Sequence, residues 1–560
     1  QLKEHVNQAL LEIIRTNSAS QFAQNAPVLA KFREAIAQGD SKDDIEFMRQ
    51  FRALVPITSY EHYEPFVENF FADPCREVDV KNMFAPGLPY FLAITSATSG
   101  KAPKLFPRYR PPTQYLQHPI PSSEGVVLAP YYLRPSNYSK TPKIHLEDGQ
   151  SSQPLVVISA SGGWMRMSMN WDFEHDMDRL DLWIPGQTAP YAVALIDDHR
   201  AFFLLHALFA LADSRVTTIS FLFANSFVSL LHYIEDEWLL LLDCIEYGII
   251  PDIETTDDLR GALKKHFSAN PARAAELRDI GPPGVAEGWA VRVWPALTKF
   301  LGITGGHAAV VVPKVTCVLG PSVTIQARLY ASSECVIGVP YHSCNPAVDF
   351  KVTMVDGFIE FVDVPPNEPS ERVLSAWELV KGRHYQPILT TRSGLWRYRL
   401  GDVISVKGFA SDDGMPVINY MHRRDDSSIE TCTESELTSA IIYTAEQWIG
   451  QITDFTILRD ERKMPYAFGF LVEIEGEIGS NAIMAPHKMS EFLMASSFGY
   501  YYALLKGVIS KPTIRLVGKG TFEEFPRWKC DKAGISVAQV KVPVVLSDKT
   551  SNEWFLSKVI

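Results

Sequence analysis

The sequence predicts an α/β protein with a large N-terminal domain and a smaller, mobile C-terminal lobe. Three observations predict it. The chain has 560 residues, more than one hydrophobic core organises. Its first half is dominated by apolar positions at helical spacing. Past Trp289 the texture changes to short β-rich runs split by Gly, Pro and Asp, and a polar run then precedes a last segment of ordinary domain size.

Taken in order, the N-terminal run QLKEHVNQALLEIIRT reads as an amphipathic helix with charged flanks rather than a signal peptide, and helix continues to about residue 55. In VPITSYEHYEPFVENFF, Thr58 and Ser59 precede acidic residues, the pattern of an extended lead-in and a capped helix. Residues 107–155 are rich in Pro, Ser and Tyr and predict irregular loops. The region from Ala189 to Gly248 reads as helix, short strand and a long helix with an acidic face; its apolar run Ala201 to Ala212 is too short to span a bilayer and predicts a buried core helix containing His206. DDLRGALKKHFSANPARAAELRDI predicts more helix. The runs AAVVVPKVTCVLG, VTIQARLYASSE, FKVTMVDGFIEFVDV and YQPILTTRSGLWRYRLGDVISVKGF predict strands, partly in hairpins. MHRRDDSSIETCTESEL lacks an apolar stripe until Leu437 and is the expected hinge, near 420–432, dividing domains 1–422 and 423–560.

Composition narrows the function classes. A net charge of -12 argues against a nucleic-acid binder held by a general phosphate field, but allows a small anion in a local basic pocket. The seven cysteines are scattered and odd in number, with no C-x-x-C, which fits reduced thiols in a cytoplasmic protein better than a disulfide framework or a zinc site.

Three segments carry candidate chemistry. In LAITSATSGKAPKLF an apolar strand breaks into hydroxyls, Gly100 and two lysines. Small residues leave backbone N–H groups free to face an anion, and phosphate is the usual one. An ordinary Ser/Thr-rich strand exit would look similar. A Walker loop is excluded: Thr95 stands at the first Gly position and Ala102 after Lys101. What remains is a hydroxyl-rich loop in which Thr95, Ser96, Thr98 and Ser99 could wrap phosphates, with Lys104 as compensating charge. In LYASSE, Tyr330 could stack on a base, Ser332 and Ser333 could contact phosphate, and Glu334 could hold Mg²⁺, which takes one or two carboxylates besides phosphate oxygens and water. A strand end with a solvated Glu is the plainer alternative. In WRYRLGDVI, Gly401 allows a sharp turn and Asp402 presents a two-oxygen acceptor suited to a ribose diol; Arg397 and Arg399 would share one strand face. A hairpin turn with a structural Asp is the alternative. The pair His232 and Asp236 has an acyltransferase-like spacing, but Glu235, Asp236 and Glu237 form a charge run that reads as a solvated helix face.

Together and in this order, TSATSGKAPK, YASSE and YRLGD resemble the three motifs of the Gretchen Hagen family of auxin-responsive acyl-acid amido synthetases, within the luciferase-like adenylate-forming superfamily. VPITSYEHYEPFV, VRVWPALTKFLGITGG, GLWRYRLGDVISVKGF and KAGISVAQVKVP extend the resemblance from about residue 50 onward. It implies an adenylate-forming fold and an ATP- and Mg²⁺-dependent ligase. A carboxylic acid would attack the α-phosphorus of ATP, releasing pyrophosphate, and an amine or amino acid would displace AMP from the acyl-adenylate to form an amide. It further implies that Ser96, Thr98 and Ser99 hold phosphates, that Tyr330, Ser333 and Glu334 serve adenine, phosphate and Mg²⁺, and that Asp402 binds ribose. Lys541 in QVKVP would act catalytically from the closing C-terminal lobe, with the hinge at Arg423 and Arg424, and Arg424 near the nucleotide. Arg392 and Trp396 fall where plant family members often carry tyrosines beside the acyl pocket; Trp396 would reshape an apolar wall there, and Arg392 could pair with a second carboxylate on the substrate, a plain surface Arg being the alternative. Two departures stand out: Ala97 replaces a loop Gly, and Lys101 a second one. A cytoplasmic monomer acting on small molecules, with neither nucleic acid nor membrane as partner, is the expectation. A thiol or hydroxyl acceptor, or a catalytically silent binder of nucleotide or acid, are the alternatives.

Overall fold

The computed structural model describes residues 2–38, 43–95, 103–110, 125–135, 141–184, 186–284, 287–341, 349–364, 372–423, 432–462, 464–533, 542–546 and 548–560. Within the N-terminal half, four strands form a parallel sheet in the order Thr324–Gln326, Lys299–Ile303, Val216–Phe223, Val126–Leu128. Helices cover it and bury one large core. In the helix His199–Ala212 every residue from Ala201 to Leu211 is buried, and its apolar side chains belong to this core, as the sequence predicts. Its C-terminal carbonyls are met by buried partners: Trp294 Nε1 donates to the Ala210 carbonyl at 2.8 Å and Arg273 Nε to that of Leu211 at 2.8 Å.

The second core joins the N-terminal helices to a larger sheet. Helix Leu2–Asn17 buries Val6, Leu10, Ile13 and Ile14 against it. Eight strands run antiparallel in the order Tyr330–Ala331, Val336–Pro340, Asp349–Val352, Pro416–Arg423, Asp402–Phe409, His384–Thr391, Gly357–Asp363, Val373–Leu374, and Tyr398–Arg399 pairs with His384–Thr391. Beside it lies a three-stranded sheet in which Phe91–Ile94 pairs antiparallel with Leu105–Arg108 and parallel with Val157–Ser159.

In the C-terminal segment, Gln451–Asp460, Ala467–Glu475 and Thr513–Leu516 form a separate sheet, packed by helices Glu434–Thr444, Ala485–Ser496 and Phe498–Leu505. It touches the N-terminal part through Lys314, whose ammonium lies 2.8 Å from Glu475 and 3.0 Å from His232 Nε2, and through Tyr233, whose hydroxyl donates to Glu523. His232 is thus a partner in this contact, not half of a helix-face pair.

Two predicted elements come out differently. AAVVVPKVTCVLG is not a strand: Val312–Leu319 is α-helical, with Pro in its first turn, where the missing N–H costs nothing. Its β-branched residues serve the helix's buried side, as Val315 and Val318 show. The long helix after Val216–Phe223 is two helices, Ala224–Asp236 and Trp238–Tyr247, which meet at Glu237. The expected hinge lies largely in residues 424–431, outside the described residues. No helix among the described residues is long and apolar enough to cross a membrane. The cysteines Cys75, Cys244, Cys317, Cys335 and Cys432 are free thiols.

Candidate active site

The first segment is a hairpin. Its strands are Phe91–Ile94 and Leu105–Arg108, and its base is closed by Thr95 and Lys104. The Thr95 N–H donates to the Lys104 carbonyl and the Lys104 N–H to Thr95 Oγ1, both at 2.9 Å. Tyr60 steadies the exit, its hydroxyl accepting from the Leu105 N–H at 3.0 Å and its ring lying 5.6 Å from the Lys104 ammonium. Ser96, Thr98, Ser99, Ala97 and Lys101 lie outside the described residues.

The second segment turns sharply between Tyr330–Ala331 and Val336–Pro340. Ser332 organises the turn: its Oγ accepts from the N–H groups of Glu334 at 3.3 Å and Cys335 at 3.2 Å, and its own N–H donates to the Cys335 carbonyl at 2.9 Å. Ser332 therefore builds the loop. Ser333 Oγ donates to the carbonyl of Ile94 at 3.4 Å, which sets this turn directly against the strand that leads into the first segment. Glu334 is 3% exposed. No hydrogen bond to its carboxylate oxygens is found among the described residues; its side chain lines a small crevice with Phe106, Arg108 and Ser393. A largely buried carboxylate beside a crevice is suited to receive a cation or a ligand hydroxyl. That environment fits one Mg²⁺ carboxylate. No cluster of three or more His, Cys, Asp or Glu exists among the described residues.

The third segment completes the site. Gly401 takes φ +91°, open to glycine and strained for any other residue, and Asp402 opens the next strand. Tyr330, 72 positions earlier, donates its hydroxyl to Asp402 Oδ2 at 2.7 Å. Asp402 Oδ1 lies 3.9 Å from Arg423 Nε, across the strand pair in which Asp402 and Arg423 face each other. Burial and the Asp402 charge push the Tyr330 phenol well above its ordinary range, so it stays a donor. Its ring is walled by Phe350 at 5.8 Å and Tyr420 at 5.9 Å.

The structure thus joins Tyr330, Ser333, Glu334 and Asp402 to the base of the first loop. Four expectations are corrected. Trp396 does not wall a ligand pocket: it is 1% exposed, packed between Phe32 at 5.9 Å and Phe51 at 6.0 Å, because the N-terminal helices cover that face. Arg392 is not poised for a substrate carboxylate; it pairs with Glu12 of the first helix at 2.8 Å. Arg397 and Arg399 do not share a face. Arg397 takes φ +46° outside the short strand and makes a buried two-bond pair with Glu360, both at 2.7 Å, whereas Arg399 donates to Gln386. Tyr330 is 9% exposed and spends its hydroxyl on Asp402, so it orients that carboxylate. Arg424 and Lys541 fall outside the described residues.

Sequence reasoning missed Arg108, Asp356 and Tyr398. Tyr398 lies beside Glu334, whose charge with burial keeps the phenol protonated. Tyr398 sits inside WRYRLGD but was hidden by the charged residues around it; Asp356 reads only as a hairpin turn.

The protein is α/β in architecture with a large N-terminal part and a smaller C-terminal one, a fold it shares with solved ligase structures. More particularly, the chain belongs to the GH3 family: the GH3 family N-terminal domain profile matches residues 1–323, the central domain 350–423 and the C-terminal domain 435–550. It is 27% identical over 576 residues to the "probable indole-3-acetic acid-amido synthetase GH3.1" of Oryza sativa subsp. japonica, covering 96% of this chain and 88% of that one. It is 24% identical over 547 residues to the "indole-3-acetic acid-amido synthetase GH3.15" of Arabidopsis thaliana, covering 91% and 87%. Among solved structures, the "GH3.15 acyl acid amido synthetase" superposes with a TM-score of 0.77 at 20% identity, covering 100% of this chain and 94% of that one. A "2-Hydroxyisobutyryl-CoA Ligase" in its postadenylation state gives a TM-score of 0.50 at 12% identity, covering 99% and 92%.

Proposed function

We infer that this protein is an ATP-dependent acyl-acid amido synthetase. A carboxylate oxygen of the acid attacks the α-phosphorus of ATP, the bond to the bridging oxygen breaks, and pyrophosphate leaves. An amine nitrogen, that of an amino acid for preference, then attacks the acyl carbon; AMP departs and the nitrogen gives up a proton. The first step is needed because a free carboxylate would have to expel an oxide, whereas an acyl-adenylate expels a stabilised phosphate.

Residue roles are assigned from the motif resemblance. Asp402, oriented by Tyr330, receives the ribose hydroxyls; the loop between Thr95 and Lys104, through Ser96, Thr98 and Ser99, receives the phosphates, with Ser333 beside its root. Glu334 is the protein carboxylate for Mg²⁺, which when bound would neutralise charge on the phosphates. Lys541 would bring a cation to the phosphoryl oxygens when a C-terminal lobe beginning near residue 423 closes, with Arg424 at the pivot. A monomer in the cytoplasm completes the reading.

The observation that carries it is the Tyr330–Asp402 hydrogen bond, which unites the second and third motifs, with Ser333 on Ile94 attaching the first. The test is pyrophosphate release with ATP, Mg²⁺ and a panel of aryl and alkyl acids, followed by mass spectrometry of products formed with mixed amino acids, thiols and alcohols. Acid-dependent release and an amide product are expected. Silence with every acid while ATP still binds, or a product only with thiols or alcohols, would overturn the assignment.

A further inference from the structure

The turn that carries Glu334 is gripped from outside the three motifs. Arg108, at the end of the strand leaving the first loop, donates from Nη1 to the Glu334 carbonyl at 2.5 Å and from Nη2 to Asp356 Oδ2 at 2.5 Å. The same Asp356 oxygen accepts the N–H of Val336 at 3.0 Å. The backbone is therefore held on both sides of Glu334: at its own carbonyl by Arg108, and two residues on by Asp356. Arg108 is 1% and Asp356 5% exposed, and the guanidinium lies 4.9 Å from the Trp164 ring. Asp356 is fixed in turn, its carbonyl accepting from the Arg392 N–H at 3.0 Å. In the strand pair, Arg108 stands opposite Phe91, so the residue that holds Glu334 also ends the hairpin whose tip is the first loop.

A buried ion pair is seldom a net source of stability against an apolar substitute, because desolvating two charges offsets their attraction. Its geometry here supplies something an apolar pair could not: one donor for the Glu334 carbonyl and one acceptor for the Val336 N–H. We propose that Arg108 and Asp356 are positioning residues that fix the Glu334 carboxylate relative to the hairpin base at Thr95 and Lys104, so that a metal on Glu334 is held in one register with that hairpin. This rests on the reading of Glu334 as the metal carboxylate. Loss of the grip leaves the carboxylate present but displaced, and outer-sphere changes of that kind cost about tenfold or more in metal affinity.

The test is Mn²⁺ binding to the full chain with a non-hydrolysable ATP analogue, read by electron paramagnetic resonance, alongside metal-free AMP affinity and thermal unfolding. Asp356→Asn and Arg108→Lys are compared with Glu334→Gln, and with Asp176→Asn, which breaks the equally buried pair with Arg166 in the other core. Asp356→Asn and Arg108→Lys are expected to weaken Mn²⁺ binding about tenfold while AMP affinity stays within about twofold. Asp176→Asn is expected to lower the unfolding temperature and leave Mn²⁺ affinity alone. Arg108→Lys keeps the cation and loses the two-pronged grip, so it carries the test if Asp356→Asn does not fold. Unchanged Mn²⁺ affinity in Glu334→Gln would remove the metal reading itself. A loss in Glu334→Gln with wild-type affinity in both positioning variants would overturn the proposal alone.

Discussion

Tyr330 and Asp402 share a hydrogen bond of 2.7 Å, donated by the phenol to a carboxylate that is 7% exposed. The contact ties together two segments that lie 72 positions apart in the chain. Asp402→Asn is expected to weaken AMP and ATP binding about tenfold, since a hydrogen bond to a charged group is worth about 1.5–3 kcal/mol. Calorimetric titration measures it. Tyr330→Phe and the double variant close a cycle, with a coupling of about 0.5–3 kcal/mol expected between neighbours. Strict additivity would mean that the bond does not prepare Asp402 for its ligand.

Glu334→Gln keeps the shape of the side chain and removes its charge. Adenylation measured by pyrophosphate release is expected to fall about a hundredfold or more at fixed Mg²⁺, while AMP affinity without metal changes little. Equal losses in both would assign Glu334 a purely structural role.

Trp396→Ala tests the relocation of this residue from ligand wall to core. Truncating a fully buried Trp costs about 3–5 kcal/mol, which chemical unfolding reads directly. The ranking of acids by kcat/KM is expected to be unchanged in the folded fraction; a changed ranking would return Trp396 to the acid pocket.

The helical N-terminus, the buried helix His199–Ala212 and the hairpins after Trp289 were legible because each has a long, clean period or a turn signal between apolar runs. The helix Val312–Leu319 was not: a short β-branched run has no period of its own, and only tertiary packing decides its state. Trp396 and Arg392 failed for a related reason. They flank a turn, and which layer covers that turn depends on helices almost four hundred residues earlier, as the Arg392–Glu12 pair shows. Arg108 and Asp356 carried no local signal because their work is to hold a backbone 226 and 20 residues away. Tyr330, Glu334 and Asp402 were singled out because three segments in order resemble a family's motifs, and the structure brings Tyr330 to Asp402 at 2.7 Å.

His206 predicts a pH dependence. Among the described residues neither buried ring nitrogen has a hydrogen-bond partner; the ring lies beside Phe202 at 4.6 Å, and burial holds the imidazole down to about 3 against 6.5 ordinarily. The unfolded chain takes up this proton below about pH 6.5 and the folded chain does not until about 3. Unfolded protein therefore binds more protons in that window, and stability falls as pH falls through it. His206→Leu is expected to raise the unfolding free energy by about 1–3 kcal/mol at pH 5 and to flatten its slope between pH 7 and 4. An unchanged slope would place the acid sensitivity elsewhere.

A crystal structure of the protein with AMP or a stable acyl-adenylate analogue would show whether three distant segments meet on one nucleotide. The ribose hydroxyls are expected on Asp402, with the phosphate between Glu334 and the loop that begins at Thr95. A nucleotide seated away from Asp402 and Glu334 would contradict this placement.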